Sequence, residues 1–253
     1  MVSAGTVLGA FWTPCDSERM DLSRQVSPPS FGHLLGTDEF GRDVLSRILR
    51  GARATMLVGI GAVLIAGLAG VALGALGSSG RRLVSGPVMA FVDGLYAFPS
   101  LITALALIAV LGPGAGQISL AIGVAEAPAF ARLTRSVILS LLGQPFIEGA
   151  RAIGATRARI LCRYLLPNAA PFLLVQAGIT LSTAILAEAS LSFLGLGVQP
   201  PSPSWGYMLQ SAQNLLSVAP WLAVAPGLCI VLTILGINLT ADGLAEWSDP
   251  RRK

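Results

Sequence analysis

Lysine is all but missing from this chain, Lys253 being the only one, and His33 is the only histidine. Without an internal lysine there is no phosphate-binding GxxxxGK[ST] loop and no buried Schiff-base lysine. One histidine excludes an HExxH helix, and no GxSxG nucleophile elbow occurs. The chain cannot energise itself through a P-loop and lacks the usual hydrolase signatures. Charge is scarce too: Asp, Glu, Lys and Arg make up 12% of the chain, about half the ~25% usual in soluble domains. Cys15, Cys162 and Cys229 lie too far apart in sequence for a metal or disulfide framework and read as small apolar fillers. His33 reads as a loop residue, because one imidazole makes no metal cluster, so no metal site is expected.

What is abundant is apolar sequence. Hydrophobic residues are 53% of the 253 residues, and mean hydropathy is +0.72. Runs of membrane length recur along most of the chain, which predicts an all-α, polytopic transmembrane domain with no soluble domain left over. The net charge of +4 does not signal nucleic acid, since the cations cluster in short segments beside the apolar runs, where they report topology.

Five spans are predicted. Ala54 to Gly77 is uncharged for 24 residues, about 36 Å of helix at ~1.5 Å per residue, enough for a ~30 Å hydrocarbon core. Gly70 and Gly74, four apart, favour close packing against another helix. Pro87 to Leu111 is interrupted by Asp93 and Pro99, and Ile118 to Leu142 carries Glu126, Arg132 and Arg135. Pro171 to Ala187 and Ala219 to Leu239 complete the set. Between the last two, GLGVQPPSPSW at 195–205 is too rich in Pro and Gly to stay helical, so 188–217 reads as an irregular or re-entrant connection shielded from lipid. Met1–Trp12 is too short for a span and lacks a basic n-region, so it reads as the end of a truncated helix.

Short loops set the orientation. Arg81 and Arg82 stand across the second span from the cation-free loop at 112–116, which places the arginines in the cytoplasm. Alternation puts Arg151, Arg157, Arg159 and Arg163 inside, 195–205 outside, and the C-terminal Arg251, Arg252 and Lys253 inside. Arg42, Arg47, Arg50 and Arg53 fall outside against the rule, held in an outer amphipathic helix near Asp38, Glu39 and Asp43. Of the acids in or near spans, Asp93 and Glu188 sit near span ends, where an Arg partner or interfacial water suffices. Glu126 lies deep enough to be a candidate translocation-path residue. Trp12, Trp205, Trp221 and Trp247 read as interfacial anchors.

One segment stands out. EGARAIGATRARILCRYLLP, Glu148 to Pro167, is a basic helix-forming stretch between two apolar runs, suited to a short helix-turn-helix with Gly154 at the turn and Pro167 ending the second helix. The joint spacing of Glu148, Ala150, Gly154, Leu166 and Pro167 resembles the "EAA" coupling loop of bacterial ABC importer permeases, with Gly149 and Tyr164 departing from that pattern. HLLGTDEFGRDVLSRILRGAR (33–53), FVDGLYAFPS (91–100) and EASLSFLGLGVQPPSPSWGYML (188–209) are similar to segments of permeases in the dipeptide, oligopeptide and nickel branch.

That resemblance implies six spans, of which Met1–Trp12 is the stub of the first, lost or left out by a misassigned start. It divides the chain into an N-terminal stub and outer segment (1–53) and a transmembrane domain (54–245) with a cytoplasmic coupling loop at 146–167. It implies a permease that moves peptides across the bacterial cytoplasmic membrane by alternating access. The chain would be no enzyme and bind no cofactor, ATP and Mg being held by partners. Those partners would be a homologous second permease, two ABC ATPase subunits and an extracytoplasmic binding protein, within membrane lipid. Glu148, Ala150, Gly154, Ala155, Leu166 and Pro167 would form the ATPase-coupling surface, and Glu188, Pro200, Pro201 and Trp205 the outer docking face or mouth. Glu126-Ala127-Pro128 departs from the family, in which an aromatic more often precedes the proline. A nickel or other small-solute importer of the same family remains the alternative, and an ion-coupled transporter using Glu126 the rival from another class.

Topology is open to direct test. A cysteine replacing Thr156 is expected to react with an impermeant thiol reagent only from the cytoplasmic side, and one replacing Ser202 only from outside. Labelling of both from one side would overturn the span count between them.

Overall fold

In the computed structural model, which describes residues 13–247, the elements after residue 43 are helical and no strand occurs among the described residues. The expectation for Met1–Trp12 and for the terminal Arg251, Arg252 and Lys253 lies outside them. Residues 13–43 form an irregular segment with one 3₁₀ turn, Leu22–Arg24, folded against the start of the first helix, α1 (Val44–Gly77). Asp43 caps that helix: its Oδ2 accepts from Ser46 N at 2.8 Å and from Ser46 Oγ at 2.7 Å, satisfying a donor that a helix start leaves orphaned.

The 34 residues of α1 make about 51 Å of helix, well beyond a ~30 Å hydrocarbon core, so its ends protrude. Its first turns hold three of the four arginines assigned above to a separate amphipathic helix, Arg47, Arg50 and Arg53, while Arg42 precedes its cap, and no break falls at residue 53. The reason is local, since Asp43 starts the helix and nothing from Val44 to Ala54 stops it. Asp38 anchors two of these cations, Arg42 at 2.7 Å and Arg47 at 3.4 Å. Arg47, 2% exposed, also donates from Nη1 to Ser17 O.

After Gly80 come α2 (Arg82–Tyr96) and α3 (Ser100–Leu111), bent by 92° at Ala97–Pro99. The single run read over Pro87–Leu111 is therefore two helices. Proline removes an N–H and drives its preceding residue, Phe98, out of the α region, and three residues accommodate the turn. The next long helix, α4 (Ala115–Leu142), is followed by two short ones, α5 (Pro145–Ala152) and α6 (Arg157–Ile160). A five-residue π turn, Leu161–Leu165, then leads into α7 (Leu166–Phe193); α8 (Trp205–Ala212) and α9 (Trp221–Trp247) complete the chain. The irregular connection is shorter than the sequence suggested, because α7 continues six residues past Ala187 before Gly195 enters the left-handed region at φ +81°.

Among the described residues, three helices are long and apolar enough to cross a membrane: α1, the run Arg157–Phe193 and Trp221–Leu244. The bent α2–α3 pair makes a fourth when taken together. The 28-residue α4 has the length, but Glu126, Arg132 and Arg135 dilute its apolar character.

The packing inverts the pattern of a soluble helix. On α1 the buried face is small, Ala62, Ala66, Gly70 and Gly74, while Leu57, Leu64 and Leu68 point outward. Lipid is as apolar as leucine, so burying large side chains gains little there and close backbone contact gains more. A Cβ on Gly70 would lie 2.3 Å from Phe130 Cβ and 2.6 Å from Ala127 O, and one on Gly74 2.5 Å from Ala131 O. The glycines thus lay the backbone of α1 on that of α4, the largest helix–helix interface of the chain.

Gly70→Leu must push these backbones apart. Its cost is expected at the upper end of the overpacking range, about 3 kcal/mol, read as a lowered melting midpoint in detergent. An unchanged midpoint would show that α1 and α4 do not pack through Gly70.

Candidate functional site

The segment linking α4 to α7 is built residue by residue from local rules. Pro145 occupies the first turn of α5, where its missing N–H costs nothing. Glu148 lies in the same turn, where a carboxylate complements the positive end of the helix, and Arg151 lies in the last. Gly154 at φ +81° ends the helix. Gly154 N donates to Arg151 O at 2.9 Å and Ala155 N to Ala150 O at 3.0 Å, which is the paired hydrogen bonding of a Schellman motif. Ala155 packs in one apolar cluster with Ala150, the hydrophobic contact that accompanies such a cap. Thr156 then caps α6, its hydroxyl accepting from Arg159 N.

This local chemistry gives the segment two faces. Ile147, Ala150, Ile160 and Leu165 are buried with Ile138 of α4, and Tyr164 packs at their edge. Glu148, Gly149, Gly154, Thr156 and Arg157 are exposed, and Ile153 is 80% exposed at the apex of the turn. A cavity of about 800 Å³ opens between this segment and the end of α1, lined by Ser78, Ser79, Arg81, Arg151 and Arg157 among others.

Pro167 does not end the second helix as the sequence suggested. It is exposed in the first turn of α7, directly after the π turn, in which Leu166 N bonds back to Leu161 O. The widened turn shifts the hydrogen-bond register ahead of the proline, so its missing N–H interrupts no established ladder. Leu166 is half-buried beside it. The α5–α6 segment is thus continuous with a membrane-length helix.

The four residues assigned to an outer face separate into two environments. Pro200 and Pro201 are exposed. Glu188 and Trp205 are 0% and 2% exposed, so neither offers a docking contact, and Trp205 is a core residue rather than an interfacial anchor. Its Nε1 donates to Ile48 O at 3.0 Å. Glu188 lies within α7 rather than in a loop. Its Oε2 accepts from Thr55 Oγ1 at 3.1 Å and its Oε1 from Ser192 Oγ at 2.7 Å, and Ser204 Oγ stands 3.4 Å from Ser192 Oγ. The acid therefore joins α1, α7 and the 194–204 connection with each oxygen paired, as a buried carboxyl requires.

Glu126 is half-buried on α4, near Ser100 at the start of α3. Farther along α4, Arg132 stands 3.9 Å from Asp93 and stacks 4.7 Å over the Tyr96 ring; Asp93 does meet an arginine. Both ends of that pair are more than half exposed, so the pairing adds little stability. Thr55, Ser100 and Ser204 were not singled out in sequence, because a lone hydroxyl in an apolar run carries no pattern. Ser192 had a signal, standing four residues from Glu188 on one helix face.

Comparison with known proteins agrees with this architecture. Residues 66–253 match a family described as "Binding-protein-dependent transport system inner membrane component". The chain is 42% identical over 246 residues, 95% of its length and 81% of the relative's, to the di/tripeptide transport system permease protein DppC of Pseudomonas aeruginosa. It is 40% identical over 249 residues, 96% of its length and 83% of the relative's, to the glutathione transport system permease protein GsiD of Pectobacterium atrosepticum. In fold it is similar to a chain of the MetNI methionine ABC transporter in an inward-facing conformation, with a TM-score of 0.68 and 22% identity over 80% of this chain and 96% of that one. With a family match across most of its length and identities of 40% and 42% over nearly all of it, the chain belongs to the binding-protein-dependent transport inner membrane components, the permeases of ABC importers.

Proposed function

We propose that this chain is one of two permease subunits of an importer that carries small peptides across the cytoplasmic membrane by alternating access, driven by ATP hydrolysis on partner subunits. The observation that carries the reading is the Schellman-turned pair α5–α6: its exposed face is set on an apolar footing and it runs without interruption into α7. Such an element transmits force. Displacement of the α5–α6 apex passes through Ile147 and Ala150 to Ile138 of α4, and through the π turn to α7, while packed helices move as units rather than deforming.

In this reading Glu148, Gly154, Ile153 and Thr156 meet an ATPase, Ala150 and Ala155 hold the turn in shape, and Leu166 and Pro167 mark where the motion enters α7. The sister permease, two ATPases and an extracytoplasmic binding protein complete the assembly. The arginine-rich loops and the C-terminus face the cytoplasm, and the exposed Pro200 and Pro201 face the binding protein. Peptide as cargo rests on the relatives, which are permeases for di- and tripeptides and for glutathione. The half-buried position of Glu126 on α4 supports a role on the translocation path in this reading.

Gly154 gives the decisive test. Its φ of +81° disfavours any other residue, and a Cβ there meets no atom within 4 Å, so a substitution acts through backbone strain of about 1–2 kcal/mol and through what it presents outward. Gly154→Asn, tolerated in the left-handed region, is expected to keep ATPase association near wild type in a pull-down from membranes. Gly154→Glu is expected to insert normally but to lose most association and uptake. Wild-type assembly and transport by Gly154→Glu would remove Gly154 from the docking surface.

Energy source is tested separately at Glu126. Glu126→Gln preserves size and hydrogen bonding and is expected to retain most ATP-dependent peptide uptake. Abolished uptake, together with a lost pH dependence, would favour ion coupling instead.

A further inference from the structure

We propose that Cys15, His33 and Asp43 form a binding site for a zinc-class divalent cation at the head of α1. A ligating atom from each of the three, thiol sulfur, ring nitrogen and carboxylate oxygen, lies within 4.8 Å of the others. Cys15 and His33 come from separate bends of the irregular N-terminal segment and Asp43 from the cap of α1, brought together by the fold rather than by sequence spacing. A tetrahedral zinc holds such atoms about 3.3–3.6 Å apart, so small side-chain rotations set all three on one ion.

The group is already oriented by its neighbours. His33 Nδ1 stands 2.9 Å from Asp43 Oδ1. Asp43 Oδ2 is held by Ser46 N and Ser46 Oγ at the α1 cap, which leaves Oδ1 directed at the site. Ser46 Oγ in turn accepts from Cys15 N at 3.0 Å, so one serine fastens both flanking ligands. Supporting hydrogen bonds of this kind orient metal ligands. Asp43 is buried while Cys15 and the His33 ring are half-buried, giving an approach from solvent.

The donor set selects the ion. One thiolate, one imidazole and one carboxylate suit zinc, whereas magnesium and calcium take oxygen donors in larger number. A bound cation would tie positions 15, 33 and 43 together and pin the 13–43 segment to α1. It would stabilise that end of the helix without touching the α5–α6 segment.

The test uses the full-length chain, purified in detergent through an affinity tag without histidine and treated with chelator. Zinc is titrated against a chromophoric chelator and counted by elemental analysis, and cobalt is added in parallel as a spectroscopic probe. Wild type is expected to bind one equivalent of zinc, to protect His33, the sole histidine, from diethyl pyrocarbonate, and to show a thiolate-to-cobalt absorption band. Cys15→Ser and His33→Gln are expected to weaken zinc binding on the order of a hundredfold, the upper end of what loss of a supporting residue costs at a metal site, and Cys15→Ser to lose the cobalt band. Both variants leave the Asp43 cap of α1 intact, and melting in chelator checks that they fold as wild type does. A Cys162→Ser/Cys229→Ser background excludes the other two thiols. Zinc affinity equal in wild type and both variants would overturn the site, as would binding that survives Cys15→Ser, since the thiolate would then not be a ligand.

Discussion

The backbone contact between α1 and α4 is the constraint on which the rest of the architecture hangs. In lipid no hydrophobic force draws two helices together, so association depends on how closely their main chains approach. Gly70 and Gly74 bring α1 onto Ala127, Phe130 and Ala131 with no room for a Cβ between them. Large side chains are left to face outward, as Leu64 and Leu68 do. The seam sets where Glu126 and Arg132 on α4 stand relative to the α2–α3 bend, and where the α5–α6 segment leaves the bundle.

A second, polar junction fixes the other end of α1. Glu188 of α7 accepts from Thr55 of α1, and Ser192 and Ser204 continue the network into the connection before α8. Trp205 closes the junction from α8 by donating to Ile48 O. A buried network with every member paired favours one arrangement, because any sliding of α7 along α1 leaves a carboxyl oxygen without a donor. Hydroxyls and a single acid thus do in this half of the chain what glycines do in the other. The α5–α6 segment rests on a different principle, a turn held by backbone hydrogen bonds and four buried apolar side chains. It joins α7 through the π turn without a break in the helical backbone.

Much of this was legible in the order of residues. Long uncharged runs, Gly70 and Gly74 at helical spacing, and the Glu148–Pro167 pattern are local features, and a local feature needs no partner to be recognised. The turn at Gly154 is of that kind, since only glycine adopts a left-handed backbone freely. Proline was less reliable as a signal. Pro99 broke a run more sharply than an interruption implied, whereas Pro167 ended nothing, because its effect depends on whether the preceding turn has already shifted its hydrogen bonds.

The sequence by itself determined that this is an all-α membrane protein, where most of its apolar helices run and which segment forms the two-helix turn, for these follow from composition and short-range spacing; membership of the permease family rested on resemblance of its motifs. Tertiary structure alone decided which polar groups meet. Thr55 and Glu188 are 133 residues apart, Arg47 and Ser17 are 30, and Cys15 and His33 converge on Asp43 at the cap of α1. No periodicity encodes such pairs. They arise because a buried donor, acceptor or charge must find its complement wherever packing brings one within reach, and that address exists only after the helices have come together.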